Sequence, residues 1–236
     1  MSKAHDGDLD HPARAALTGP HARFAERRGR VLRYPAEVAP WVALPDDPRD
    51  ADWADVAALT GPGSEALTVG FRGSLPEGWP TVFRADGVQL VGEDVAGEPD
   101  PEAVLLCAAD VPEMLDLVAR TRPGPFLPRT RELGTYLGIR RGGALVAMAG
   151  ERLRPPGWTE ISAVCTDPAV RGQGLAGRLV RAVAHGIQRR GEIPFLHTGA
   201  DNAGAIRLYE SLGFRHRRDI LFLGTRVPDD LLEPVA

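Results

Sequence analysis

Lysine is nearly missing from this 236-residue chain: it occurs once, at Lys3, so almost all of the 28 basic residues are arginine. The shortage assigns no function, and the formal charge of −4 gives no overall pull toward nucleic acid or anionic lipid. Two cysteines, Cys107 and Cys165, are too few for a disulfide framework or a cysteine metal site. Six scattered histidines show no ligand spacing such as H-E-x-x-H, so no metal is expected. Aromatics make up 6% of residues, and the arginine-rich run at 215–218 has no interleaved stacking platform, which argues against a nucleic-acid partner. No apolar run approaches the roughly 18 residues that span a bilayer. The opening residues are polar and acidic, without the apolar core of a signal peptide. The expectation is a soluble, cytoplasmic protein with no membrane partner.

What is present is turn chemistry, with 27 glycines and 21 prolines, and a charge asymmetry. Residues 1–104 carry 10 basic and 18 acidic side chains, a net of −8, whereas residues 105–236 carry 18 and 14, a net of +4. A basic C-terminal half suits a phosphorylated ligand.

Along the chain, residues 1–12 read as a disordered tail. A short helix is expected within 16–29 and another near Trp53–Leu59. Apolar runs at 66–71, 80–84 and 88–92, divided by Gly, Pro and Asp, read as three antiparallel strands. The acidic segment 92–102 has no apolar period and suggests a domain boundary, giving an N-terminal unit at 13–104 and a C-terminal unit at 105–236. In the second unit "DVPEMLDLVART" suits a helix, and "GTYLGIRRGGALVAMAGERLR" suits a hairpin turning at Gly142-Gly143. "TEISAVCT" is a strand. From Gln173 to Arg190, apolar residues at 175, 179, 183 and 187 line one helical face. "IPFLHT" is a strand, "NAGAIRLYESLGF" a short helix and "FRHRRDILFLG" the last strand.

Between "AVCTDP" and the long helix lies Arg171-Gly172-Gln173-Gly174. A helix start presents unpaired N–H groups and the positive end of the dipole, and glycine lets a ligand approach the backbone closely. Such a loop invites an anion. It is not a P-loop, since Leu175 follows Gly174 where Lys is required. Gly172, Gly174 and Gly177 spell G-x-G-x-x-G, but the preceding strands read as an antiparallel meander and not a parallel βαβ unit.

The segment Arg171-Gly172-Gln173-Gly174-Leu175-Ala176 resembles the coenzyme A loop R/Q-x-x-G-x-G/A of the GNAT acetyltransferase superfamily. Asn202, Ala205, Leu208, Tyr209, Gly213 and Phe214 resemble its N-x-x-A-x-x-L-Y-x-x-x-G-F helix. The two motifs occur in order, separated by a helix and a strand, and the resemblance covers about residues 105–225. It implies an α/β (α+β) GNAT fold: a mixed, mostly antiparallel central sheet flanked by helices, preceded by a smaller, degenerate GNAT-like half. No second R-x-x-G-x-G/A occurs in residues 1–104, so that half should not bind coenzyme A. The implied cofactor is acetyl-CoA. Backbone N–H groups of Arg171, Gly172, Gln173, Gly174, Leu175 and Ala176 would take its pyrophosphate. Val164, Cys165 and Thr166 would pair through their backbone with the pantetheine arm, on a strand splayed from its neighbour.

The implied reaction transfers an acetyl group to a primary amine by direct attack in a ternary complex. An alkyl amine, with a pKa near ~10, must lose a proton, and a thiolate must leave. Tyr209 matches the family's general acid. Glu160 shares a strand face with Ser162, Val164 and Thr166 by the period-two rule, and is as readily a general base as a surface carboxylate. Cys165 reads as a small buried hydrophobe, His197 as a hydrogen-bonded core histidine, and Asn202 as a helix cap that also reaches the pantetheine. The rival reading is a non-catalytic acyl-CoA-binding sensor. The amine acceptor and the oligomeric state stay open.

Overall fold

The computed structural model describes residues 5–229. The chain begins with α1 (Pro12–Thr18), β1 (Glu26–Arg28), β2 (Val31–Arg33), β3 (Val42–Ala43) and α2 (Asp50–Thr60). Two strands follow, β4 (Glu65–Val69) and β5 (Thr81–Val91), then β6 (Val104–Leu105) and α3 (Val111–Thr121). The remainder is β7 (Tyr136–Arg141), β8 (Ala144–Glu151), β9 (Trp158–Thr166), α4 (Leu175–Arg189), β10 (Ile193–Gly199), α5 (Ala203–Ser211) and β11 (Arg215–Arg226). The helix expected within 16–29 is shorter and earlier, because Gly19-Pro20 ends α1; one 3-10 turn and β1 occupy the rest. Among the described residues no helix is long and apolar enough to cross a membrane.

Eight strands form one sheet in the order β4-β11-β5-β10-β9-β8-β7-β6, and β1, β2 and β3 form a small separate sheet. Within the large sheet only β9 and β10 run parallel; the other neighbours are antiparallel. A mixed, mostly antiparallel sheet flanked by helices is therefore the architecture. α4 covers one face with Leu175, Leu179, Val183 and Ile187, all buried against Ile139, Ala147 and Ile161. Each such side chain removed from water contributes about 1.5–3 kcal/mol. α3 covers the opposite face, where Met114 and Leu117 meet Tyr136, Met148 and Cys165.

Three expectations about the first hundred residues need correction. The supposed tail is folded from His5 onward; residues 1–4 lie outside the described residues. Leu9 is buried, Asp6 accepts from Arg217 Nε at 2.7 Å, and the Leu9 carbonyl accepts from Gln89 Nε2 at 2.8 Å. A run of acidic and polar residues concealed one apolar anchor and two carboxylates whose arginine partners lie at the far end of the chain. Second, the boundary near residue 104 does not divide the sheet. β5 is inserted between β10 and β11, so residues 13–104 supply β4, β5 and the first residue of β6 to the main sheet. The acidic segment read as a linker crosses over α4, where Asp100 accepts from Arg178 Nε at 2.6 Å and Gly97 N–H donates to Gln188 at 3.2 Å. Third, 80–84 and 88–92 are one strand. Gly87 looked like a turn, but it is where Phe222 and the Thr198 carbonyl crowd the backbone, at 2.6 and 2.9 Å from where a Cβ would stand.

Candidate functional site

β9 and β10 pair only through Ile193–Trp158, Pro194–Thr159 and Phe195–Glu160. Beyond Glu160 and Phe195 the two parallel strands separate, and among the described residues no strand pairs with the β10-facing edge of residues 161–166. Val164, Cys165 and Thr166 lie on that open edge. A backbone edge without a partner is a place where an extended, amide-bearing ligand can add as a strand.

α4 begins at the open end of this cleft. Gly174 is its N-cap, at φ 72°, and contributes no side-chain cap. A Ser, Thr, Asp or Asn there would consume an N–H group. Among the described residues the N–H groups of residues 172–177 have no partner, and the first helical bond runs from Arg178 N–H to the Gly174 carbonyl at 3.1 Å. Six consecutive free donors at the positive end of a helix are the kind of group that an anion can satisfy. Arg171, Gly172, Gln173 and Gly174 are exposed, Ala176 is half-buried and Leu175 is in the core. Arg171 lies back along the strand end, its Nε donating to the Thr166 carbonyl at 3.3 Å.

α5 closes the cleft from the α4 side. Asn202 caps it, accepting from Ala205 N–H at 3.1 Å. Tyr209 is buried, and burial pushes its phenol up to about 12, with the nearby Cys165 thiol adding to the effect. No described residue engages its hydroxyl, so the phenol stays neutral with its O–H unpaired. Cys165 is also buried, and burial pushes its thiol up to about 11, the reverse of what a nucleophile needs. A thiol-reactive probe at pH 7 should therefore label the native protein once, at exposed Cys107, and twice after denaturation. Peptide mass spectrometry that finds label on native Cys165 would contradict the burial.

Glu160 is neither a surface carboxylate nor positioned with Val164 and Thr166. Ala163 has φ 52°, and the register with β8 slips there, Met148 facing Cys165 but Gly150 facing Ser162. This extra residue is a β-bulge, which breaks the period of two. Glu160 thus shares its face with Ser162 and Cys165, on the α3 side. It is fully buried, bound by Arg152 Nε and Nη2 at 2.9 and 2.7 Å, by Leu153 N–H at 3.2 Å and by His197 Nδ1 at 2.7 Å. Burial alone would raise its pKa, but the Arg152 charge and these hydrogen bonds hold it well below the usual carboxylate range. A carboxylate held so firmly ionised, with both oxygens engaged, is a poor proton acceptor.

His197 is the core histidine expected. Arg217 donates to the Gln89 oxygen at 2.8 Å, so the Gln89 amide nitrogen faces His197 Nε2 at 2.9 Å and donates to it. Nδ1 then carries the proton that goes to Glu160. Sequence reasoning missed Arg152. It lies immediately beyond β8, 7% exposed, with its guanidinium carbon 5.3 Å from the Trp41 ring centroid. One more arginine in an arginine-rich chain gave no signal of burial.

Comparison with known proteins agrees with this geometry. Residues 136–223 match the family model described as FR47-like protein. An N-alpha-acetyltransferase RimI of Mycobacterium tuberculosis is 38% identical over 100 residues, 39% of this chain and 62% of that protein. A mycothiol acetyltransferase of Brachybacterium faecium is 41% identical over 80 residues, 31% of this chain and 24% of that protein. The chain thus spans less than two thirds of either relative. A crystal structure from Novosphingobium aromaticivorans, described as an acetyltransferase from the GNAT family, superposes with a TM-score of 0.86 at 39% identity, covering 94% of this chain and 99% of the other.

Proposed function

This chain belongs to the GNAT family of acetyltransferases, and from that premise we propose that it transfers the acetyl group of acetyl-CoA to a primary amine by direct attack in a ternary complex. The observation that carries the reading is the meeting of three orphaned features at one cleft: the open edge of β9, the free N–H groups of residues 172–177, and the unengaged Tyr209 hydroxyl. The donor set fits coenzyme A, a diphosphate joined to an amide-bearing arm. Acetyl-CoA, when bound, supplies an activated thioester carbonyl and a thiolate leaving group.

The chain's own residues do the rest. The N–H groups of residues 172–177 hold the diphosphate, with no side chain at Gly172 or Gly174 to compete for the space. The backbone of Val164, Cys165 and Thr166 aligns the arm, and Asn202 holds the start of α5 so that Tyr209 faces the cleft. The Tyr209 hydroxyl donates its proton to the departing sulfur. With a pKa of about 12 it is neutral through the physiological range, as an acid must be before it acts. Since Glu160 has both oxygens engaged, proton removal from the ammonium falls to solvent at the mouth of the cleft. The names of the two relatives point to different acceptors, an α-amine for one and a mycothiol compound for the other.

The test is a thiol-release assay with acetyl-CoA over a panel of amines, beside calorimetric titrations with coenzyme A and NADH. Coenzyme A binding together with amine-dependent thiol release supports transfer. Binding without release for any amine supports a sensor, and NADH binding a dehydrogenase. In the same assay Tyr209→Phe should lower kcat by roughly 10²-fold, within the range for a positioned acid, while the KM for acetyl-CoA moves little. An unaltered kcat removes Tyr209 as the acid.

A further inference from the structure

The α3 side of the cleft contains polar groups for which acetyl transfer, as described so far, has no use. Tyr136, at the start of β7, is fully buried, yet its hydroxyl has no hydrogen-bond partner. Its ring lies flat across β8. A Cβ at Gly150 would stand 2.2 Å from Tyr136 Cδ1 and 2.4 Å from Cε1, so the strand can lie beneath the ring only because residue 150 is glycine. Tyr136 pairs with Gly150, and Gly150 faces Ser162, so the ring reaches toward β9 at the level where it leaves β10.

One row along the same face stand Arg152 and Glu160. Glu160 uses Nε and one terminal nitrogen of Arg152; among the described residues the other terminal nitrogen has no partner. Trp41, against whose ring the guanidinium rests, is buried, and its Nε1–H is also without a partner. Tyr136 O–H, Trp41 N–H and the spare Arg152 N–H are all donors, and the nearby carboxylate is already committed.

An unsatisfied buried donor costs about 1–3 kcal/mol. Phenylalanine at 136 would fill the same space against Phe126, whose ring centroid is 5.4 Å away, without that cost. We propose that Tyr136, with Arg152 and Trp41, binds a carbonyl or carboxylate oxygen of the acceptor, so that the preferred acceptor is an α-amino acyl compound: an amine whose adjacent carbon bears that oxygen. This rests on the acetyl-transfer reading and extends it to the acceptor. The neutral phenol, whose ionisation burial holds off to high pH, keeps its proton for the acceptor oxygen. Arg152 supplies positive charge, and the amine is left pointing toward the cleft between β9 and β10. Phe126, one of the buried residues of the segment between α3 and β7, packs edge-on against the Tyr136 ring, so acceptor entry displaces it. A free amino acid and a peptide N-terminus share this chemistry.

The test compares wild type, Tyr136→Phe and Trp41→Phe on glycine, glycylglycinamide and ethylamine with saturating acetyl-CoA. Each variant's melting temperature and coenzyme A affinity are measured alongside. The expected result is that glycine or glycylglycinamide outperforms ethylamine at least tenfold in kcat/KM, the better of the two identifying the source. Tyr136→Phe should then raise that acceptor's KM about tenfold, with melting temperature equal or higher and coenzyme A affinity unchanged. Trp41→Phe should shift KM in the same direction. Ethylamine turned over as well as the acyl compounds, or Tyr136→Phe within twofold of wild type, overturns the acceptor assignment and leaves acetyl transfer standing. Coenzyme A bound without thiol release for any amine overturns both.

Discussion

Gly174→Trp should abolish measurable coenzyme A binding while the protein stays folded. The two halves of that expectation have separate causes. A Cβ at residue 174 meets no protein atom within 4 Å, so the indole projects into open space in front of α4 and disturbs no packing. The backbone there has φ 72°, which costs a non-glycine residue about 1–2 kcal/mol. That much strain lowers the melting temperature without unfolding the chain. The space the indole takes is that in front of the free N–H groups of residues 172–177. Each hydrogen bond to a charged group contributes about 1.5–3 kcal/mol, so losing two or more weakens binding by more than about 100-fold. Gly174→Ala separates the causes, since it carries the strain and only a methyl group. Calorimetry and thermal melting on the two variants decide the matter. A tryptophan variant that binds coenzyme A normally means that this helix start is not the binding site.

Glu160→Ala should cost about 3–5 kcal/mol of stability, because it leaves the Arg152 guanidinium buried without its partner. The pH dependence has the same origin. The carboxyl is held below its ordinary value of 4.5 in the folded state, so the folded form binds its proton less readily than the unfolded chain. Its contribution is therefore complete above about pH 4.5 and is lost progressively as pH falls below that value. Wild type should lose stability on acidification more steeply than a Glu160→Leu, Arg152→Met double variant, in which both charges are replaced together. That double variant should recover much of the loss seen with Glu160→Ala. Urea denaturation at pH 7 and pH 4 measures both effects. A general base would behave differently, with stability near wild type and turnover sharply reduced.

Much of the C-terminal half was legible because its signals are local. The period of Leu175, Leu179, Val183 and Ile187 is a property of one helix, Gly142-Gly143 of one hairpin, and Asn202 of one cap. The glycine-rich start of α4 was readable for the same reason: free N–H groups at a helix start follow from the chain's immediate neighbours. What was misread depends on contacts between distant positions. Asp6 and Asp10 resemble a solvated tail until Arg217 is placed beside them. The segment 92–102 resembles a linker until α4 lies beneath it. Glu160 keeps its face with Ser162 but not with Val164 and Thr166, because a period of two assumes an unbroken strand and the bulge at Ala163 inserts one residue that composition does not announce.

The sequence by itself determined the long helix, the hairpin, the glycine-rich helix start and the motif helix that carries Tyr209, since each is set by interactions within a dozen residues. Only the tertiary structure decided that β5 enters the middle of the sheet, that β9 and β10 part after Glu160, and that Glu160 is locked to Arg152 and His197. Those outcomes turn on burial and on charge pairs between residues far apart in the chain. Burial is a property of the assembled volume, and no single stretch of sequence carries it.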